Sequence, residues 1–140
     1  PRDTPYAGVA AIFRSALERE QAPAVFEDGG QTRDFVHAED VGRANVAALE
    51  NIQDTVVSGG LRAYNVCSGQ PTTIGEMASI LTKAHGGIEP IVTGNYRVAD
   101  VRHVVAAPDR ARQELGFTAR IGPDEGITAF AHAPLRGLGG

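Results

Sequence analysis

The chain has 140 residues, of which 42% are hydrophobic, and it carries 13 basic against 17 acidic side chains for a net charge of −4. This balance argues against an electrostatic nucleic-acid binder, while the hydrophobic content suffices for a folded core. No apolar run approaches the roughly 20 residues that cross a membrane, and the single Cys67 excludes an internal disulfide and fits the cytoplasm. We expect one domain over residues 1–133 and a flexible tail at 134–140.

Hydrophobic periodicity predicts two helices and two strands in the first half of the chain. Apolar side chains recur at three- and four-residue spacing from Tyr6 to Glu18, as in a helix with one buried face. Short strands are predicted at Pro23–Phe26 and Thr32–His37, on either side of an acidic, glycine-rich turn. A second helix is predicted from Glu39 to Asn51. Side chains expected in the core here are Phe35, Val36, Val41 and Leu49.

The second half continues the alternation of strands and helices. A strand is predicted at Ala63–Cys67, after which Thr73 and Glu76 form a capping box that starts a helix ending at Gly86. The remaining elements are strands at Pro90–Thr93 and Val101–Val105, a short helix that opens at Pro108, and a last helix from Pro123 to Ala131.

The alternation is typical of α/β proteins, but the strands are too few for a complete doubly wound dinucleotide-binding fold. Neither Gly-x-Gly-x-x-Gly nor Gly-x-x-Gly-x-x-Gly occurs in the sequence. We therefore predict a small mixed α/β domain that binds no dinucleotide by itself.

Catalytic and metal-binding patterns are also missing. The four histidines lie far apart, without a His-x-x-x-His or Cys-x-x-Cys pair, so no metal site is expected. Cys67 ends an apolar strand and is interpreted as a small buried hydrophobe, and no Gly-x-Ser-x-Gly segment is present. The sequence predicts no catalytic residue in this chain.

Two arginines stand out because each lies beside turn residues. Arg33 follows the glycine-rich turn at the start of a strand, and Arg97 lies in a polar loop. A planar guanidinium on each of two loops could grip a diphosphate through paired hydrogen bonds. The alternative is that Arg33 pairs with Asp34 or Glu39, and Arg97 with Asp100, as ordinary surface ion pairs.

Several short segments around these arginines are informative in combination, because they follow one another in a characteristic order along the chain. They are Pro1-Arg2, Pro5–Val9, Asp28–His37 followed by Glu39–Val41, Tyr64–Val66, Arg97-x-x-Asp100-Val101, and Leu115–Phe117 followed by Glu125–Ile127. Together they resemble the C-terminal half of the NAD-dependent sugar epimerase/dehydratase family, the extended short-chain dehydrogenases that act on nucleotide sugars. The helix start at Gly8-Val9 looks most like the UDP-glucose or UDP-N-acetylglucosamine 4-epimerase branch, and dTDP-glucose 4,6-dehydratases are the next most similar.

The resemblance implies roles for individual residues. Arg33 and Arg97 would hold the substrate diphosphate, and Asp100 would accept a hydrogen bond from the nucleotide ribose. Asp100 could equally lock its loop by pairing with Arg97 or Arg102. Val25 and Phe26 would line the base, Phe26 as an aromatic wall or, equally, as plain core.

Three more residues receive roles from the same resemblance. Gly8 and Val9 would bring the amides of a helix start towards the phosphates. Arg2 stands at the family's Gly-Pro-Arg turn, where it would organise the domain junction and approach the sugar.

This sequence departs from the family in two respects. The Gly-rich fingerprint and the Tyr-x-x-x-Lys pair, which runs the proton chemistry, lie upstream in the family and are missing here. Ala106-Ala107 stands where the family usually has Ala-Asp, so a helix cap is lost. The chain alone is therefore expected to be inactive and to bind no NAD, which the Rossmann half of a longer parent would hold.

The expected function is substrate binding within an NAD-dependent nucleotide-sugar 4-epimerase. Alternatives are a fragment of a nucleotide-sugar 4,6-dehydratase and a stand-alone, non-catalytic nucleotide-sugar-binding module. The expected partners are a UDP- or dTDP-linked sugar and the N-terminal Rossmann half of the same parent chain, whose relatives commonly form homodimers in the cytoplasm. No nucleic-acid or membrane partner is expected.

Overall fold

A computed structural model describes residues 7–51, 60–98 and 100–134 and places five helices and five two-residue strands among them. The helices are α1 (Val9–Leu17), α2 (Ala38–Glu50), α3 (Ile74–His85), α4 (Asp109–Leu115) and α5 (Pro123–His132). The strands are β1 (Ala24–Val25), β2 (Thr32–Arg33), β3 (Thr72–Thr73), β4 (Ile91–Val92) and β5 (His103–Val104). The mixed α/β class is as predicted. No described helix is both long and apolar enough to span a membrane.

The chain divides into two compact units. The first comprises the described parts of Pro1–Gln31, Thr73–Asp100 and Asp124–Gly140, and the second comprises those of Thr32–Thr72 and Val101–Pro123. The division expected from the sequence, a nucleotide-sugar-binding domain over residues 1–133 and a tail over 134–140, stays a prediction.

In the first unit, β1 and β4 pair in parallel, with Val25 opposite Val92. Helix α3 begins at the predicted capping box: the Thr73 hydroxyl accepts from the Glu76 amide, and the Glu76 carboxylate accepts from the Thr73 amide. The bonds that the Glu76 carboxylate accepts from the Thr73 amide and the Thr73 hydroxyl lower the pKa of Glu76. The helix ends at Gly86, whose φ of +75° is left-handed, so both ends are confirmed where the sequence predicted them.

The core of the first unit lies where α1 packs on α3. Phe13 and Leu17 from α1, and Met77 and Leu81 from α3, are at most 4% exposed. Their three- and four-residue spacing puts each pair on one helix face, which is why the periodicity identified both helices.

In the second unit, β2 and β5 pair in parallel, with Thr32 opposite His103 and Arg33 opposite Val104. The sheet has the order β3–β2–β5. A small core joins α2 to α4 and the segment after it, and its buried members are Ala44, Ala111, Leu115 and Phe117.

A buried carboxylate ties the second unit together. Asp40, in the first turn of α2, is fully buried and accepts from the backbone amides of Arg120 at 3.0 Å and Ile121 at 2.9 Å. Arg43, one turn further along α2, completes the shell with an ion pair. Burial alone would raise the pKa of Asp40, but the two amide bonds and Arg43 outweigh it and hold that pKa below its usual value.

Two predictions for this unit are wrong. Val41 is 40% and Leu49 is 69% exposed, because α2 turns its alanines and Asp40 towards the core. Phe35 and Val36 are only half-buried. Residues 63–67 are not part of a strand, although Cys67 is buried as predicted and burial raises the pKa of its thiol.

The other predicted elements are shorter or slightly displaced. Strands expected over 32–37 and 101–105 contract to β2 and β5, since alternation in the sequence marks extended backbone without showing how much of it is paired. Pro108 caps α4 from outside rather than occupying its first helical position.

Candidate functional site

In the first unit, the loop after β4 is tied by backbone hydrogen bonds to the segment after β1. The Thr93 amide and hydroxyl both donate to the Val25 carbonyl, at 2.9 and 3.2 Å. The Glu27 amide donates to the Asn95 carbonyl at 2.7 Å, and the Asn95 amide donates to the Thr93 hydroxyl at 3.2 Å. These bonds continue the parallel β1–β4 ladder beyond its ends and bring Phe26 and Arg97 to the same place.

Phe26 and Arg97 are in contact. The guanidinium carbon of Arg97 lies 5.8 Å from the centroid of the Phe26 ring, over its face, a separation at which a cation is attracted to an aromatic ring. The ring is half-buried, whereas Arg97 is exposed. The structure thus joins two residues for which the sequence predicted separate roles.

Asp100 closes the turn that carries Arg97, because its backbone amide donates to the Arg97 carbonyl at 3.2 Å. The Arg97 side chain lies over the Phe26 ring, on the loop that this turn closes.

The turn after Phe26 is held in a restricted backbone conformation. The Phe26 carbonyl accepts from the Gly29 amide and from the Gln31 side-chain amide, both at 3.1 Å. Glu27 has a φ of +51° and Gly29 one of +75°, so both lie in the left-handed region. Gln31 is 5% exposed, and sequence reasoning missed its role because nothing marks a turn glutamine as buried.

Val25 lies beneath the site rather than on its surface. Its side chain is 1% exposed and packs under Gly29, where an added Cβ would meet its Cγ1 at 2.9 Å. Val25 therefore supports the Phe26 turn through packing and through its carbonyl.

Helix α1 begins with backbone amides that its own N-cap residue does not cap through a side chain. Gly8 occupies the N-cap position in an extended conformation, and the first turn of the helix contains no acidic residue. Gly8 is exposed and Val9 is half-buried. Such a helix start favours an anion, but helix geometry alone does not make a site. Arg2 lies outside the described residues.

In the second unit, Arg33 is anchored at the β2–β5 pair. Its Nη1 donates to the Thr32 carbonyl at 2.8 Å and to the Arg102 carbonyl at 3.0 Å. Asp34, the surface partner that the sequence left open, accepts instead from the amides of Ser68 at 2.7 Å and Gly69 at 3.3 Å. Backbone carbonyls therefore orient the Arg33 guanidinium.

Within residues 7–51, 60–98 and 100–134, no group of three or more His, Cys, Asp or Glu side chains is arranged to hold a metal ion. The chemistry that these residues can provide is binding: an aromatic face, two guanidinium groups, and the backbone donors of α1.

Comparisons with known proteins identify the family and the fold of the chain. Residues 1–67 match the family model described as NAD dependent epimerase/dehydratase family. The chain is 34% identical over 122 residues to dTDP-L-rhamnose 4-epimerase of Burkholderia thailandensis, covering 87% of this chain and 32% of that protein.

Solved structures share the fold. UDP-glucose 4-epimerase of Thermotoga maritima, solved with UDP-glucose, superimposes with a TM-score of 0.77 at 31% identity, over 94% of this chain and 41% of that one. UDP-glucuronic acid 4-epimerase of Bacillus cereus, solved with UDP-glucuronic acid and NAD, gives 0.77 at 23% identity, over 94% of this chain and 40% of that one, and shows the fold alone.

The chain spans about a third of the length of the curated relatives it matches and about two fifths of the solved chains. Its matched relatives include nucleotide-sugar 4-epimerases, and some of the structures with its fold hold NAD. The chain belongs to the NAD-dependent epimerase/dehydratase family of extended short-chain dehydrogenases.

Proposed function

We propose that this chain is the substrate-binding part of an NAD-dependent nucleotide-sugar 4-epimerase. The observation that carries the proposal is the Phe26–Arg97 pair, which sets an aromatic face beside a guanidinium on two loops tied together by backbone bonds. A nucleoside diphosphate has the matching chemistry, a flat base next to a dianionic group.

Each group of the ligand has a proposed partner. The base lies against Phe26, whose turn Val25 supports, and the ribose donates to Asp100. Arg97, Arg33 and the amides at Gly8 and Val9 bind the diphosphate. Arg2 organises the junction with the rest of the parent and approaches the sugar. No group in this set performs acid–base chemistry, so the catalytic residues belong elsewhere in the parent.

The N-terminal Rossmann half of the parent is the proposed partner, and NAD bound there supplies hydride transfer at C4 of the sugar. Each unit exposes apolar side chains against which the Rossmann half could pack. Leu49 is 69% exposed in the second unit, and Tyr96 and Val98 are 72% and 88% exposed in the first. We place the parent in the cytoplasm and expect it to form a homodimer through helices that this chain lacks.

Isothermal titration calorimetry tests the binding role. The 140-residue chain is titrated with UDP, UDP-glucose, dTDP-glucose and GDP-mannose, and Arg33→Ala and Arg97→Ala are each expected to weaken the preferred ligand at least about tenfold. Arg112→Ala, which removes an exposed arginine from α4, is the matched control and should bind as the unmodified chain does. Equal heats from all four proteins would refute the diphosphate assignment.

An activity assay separates the proposal from its alternatives. The chain with NAD should convert no UDP-glucose, and a parent carrying both halves should epimerise it. Loss of water with formation of a 4-keto-6-deoxy sugar by that parent would identify a 4,6-dehydratase instead. Tight binding by the 140-residue protein without a catalytic parent would favour the stand-alone module.

A further inference from the structure

The position of Arg97 conflicts with a base stacked on the face of Phe26 that it covers. Stacked groups approach to about 3.5 Å, so a base held between the ring and the guanidinium would need about 7 Å between them. The guanidinium carbon is 5.8 Å from the ring centroid. Arg97 and a base therefore exclude each other from this face.

We propose that Arg97 is a specificity-determining residue: its guanidinium covers the Phe26 ring, and the diphosphate of an incoming nucleotide draws it away and opens the ring to the base. This inference rests on the proposed function. It predicts that the site selects nucleoside diphosphates against nucleosides, because a ligand without phosphate must displace the guanidinium and offers nothing in return.

Exchange of the Phe26 ring for a diphosphate requires that the Arg97 side chain can move while Phe26 stays in place, and the two residues differ in this way. Arg97 is exposed, and its side chain lies against the ring at the protein surface. A cation–π contact at an exposed site changes an equilibrium by only about 2- to 5-fold, so the cover is easily lifted.

Phe26, by contrast, is fixed. Its carbonyl accepts from Gly29 and Gln31, and the residues on either side of it are bonded to Thr93 and Asn95. Because hydrogen bonds from a guanidinium to phosphate are about twice as strong as neutral ones, the exchange of ring for diphosphate favours the phosphate.

Opposite effects on two ligands distinguish this device from a simple phosphate contact. We expect Arg97→Ala to bind uridine about 2- to 5-fold more tightly and UDP at least about tenfold more weakly than the unmodified chain. Thymidine and dTDP form a second matched pair in case the site prefers that base. NMR titration measures the weak nucleoside affinities, and calorimetry measures those of the diphosphates.

Tryptophan fluorescence can report directly whether the Arg97 guanidinium lies on the ring at position 26. The sequence contains no tryptophan, so an introduced one is the sole source of indole emission. In Phe26→Trp, inorganic pyrophosphate should change the indole emission as the guanidinium leaves the ring. The same titration of Phe26→Trp/Arg97→Ala should leave the emission unchanged. Arg112→Ala in the Phe26→Trp background controls for the loss of a distant arginine.

Each result of these experiments either supports or overturns the covering role of Arg97. Tighter uridine and weaker UDP binding in Arg97→Ala support the inference. If both ligands weaken, or uridine affinity is unchanged, Arg97 is a phosphate ligand without a covering role, and the proposed function stands alone. If the unmodified chain binds neither UDP nor dTDP, the inference falls with the proposed function. Pyrophosphate that binds by calorimetry without altering the indole emission also overturns the cover.

Discussion

The two units hold their predicted phosphate-binding arginines in different ways. Arg33, in the second unit, is oriented by two backbone carbonyls at the β2–β5 pair, whereas Arg97, in the first, lies exposed over an aromatic ring. A residue fixed by carbonyls keeps its direction whether or not ligand is present. One resting on a ring changes partner when a stronger one arrives. The sequence thus predicts the same phosphate-binding role for both arginines, whereas the structure holds their side chains in different ways.

The units also differ in what holds them together near these arginines. The second is organised by the charge of Asp40, buried among amides and Arg43, and the first by turn geometry at Glu27 and Gly29. Substitutions and pH should therefore affect them separately, and hydrogen exchange reports each unit by its own amides.

The largest expected effect is that of Asp40→Ala. It leaves the amides of Arg120 and Ile121 without this acceptor and Arg43 without its ion-pair partner, at a cost of about 3–5 kcal/mol to the second unit. Asp109→Ala is the matched control, since Asp109 forms the same i,i+3 pair with Arg112 at the surface and should cost under about 1 kcal/mol. Similar losses of unfolding free energy in urea for the two variants would contradict the role of burial.

Acid should weaken the second unit through the same carboxylate. The pKa of Asp40 is lower in the folded chain than the roughly 3.9 of an unfolded aspartate, so its stabilisation is complete above that value. Stability is lost as the pH falls below about 4, through the folded pKa. Asp40→Asn should flatten this dependence for second-unit amides measured by hydrogen exchange, and an unchanged acid limb would show that another group is responsible.

Gly29→Ala should disrupt the first unit and its proposed binding site at Phe26. A Cβ at this position meets Val25 Cγ1 at 2.9 Å and Gly75 Cα at 3.3 Å, in addition to the strain of a φ of +75°. We expect a loss of about 2–3 kcal/mol in thermal unfolding, with weaker UDP binding. Gly86→Ala has the same φ and nothing within 4 Å, so it isolates the backbone strain at about 1 kcal/mol. Equal losses would mean that the contact with Val25 relaxes.

Lysine substitutions sharpen the contrast between the arginines. Arg33 Nη1 donates to two carbonyls, and we propose that the other N–H groups of its planar fork bind the phosphate; because lysine has no such fork, UDP affinity should fall about tenfold in Arg33→Lys. Arg97→Lys keeps a cation that can reach both the ring and the phosphate and should lose only about threefold. Calorimetry with UDP measures both, and the reverse order would contradict the different anchoring.

The sequence predicted the elements that depend on local chemistry and missed contacts between distant segments. The α3 capping box and its terminal glycine were predictable because their bonds span few residues. The exposure of Val41 and Leu49 was not predictable, since apolar side chains on one face of a helix do not show whether another part of the chain packs against that face. The Phe26–Arg97 contact joins residues far apart in the chain, and it depends on the backbone bonds between their loops, which no local pattern encodes.

Glu27→Gly should have the smallest effect and the opposite sign. Glu27 has a φ of +51°, a conformation that costs a non-glycine residue about 1–2 kcal/mol, whereas the added freedom of glycine in the unfolded chain costs about 0.5–1 kcal/mol. The first unit should therefore gain under about 1 kcal/mol in urea unfolding. Glu20→Gly, at a φ of +56° on the surface of the same unit, is the control for backbone relief away from the ring. If Glu20→Gly stabilises and Glu27→Gly does not, the side chain of Glu27 helps to hold the Phe26 turn, and uridine affinity should fall with it.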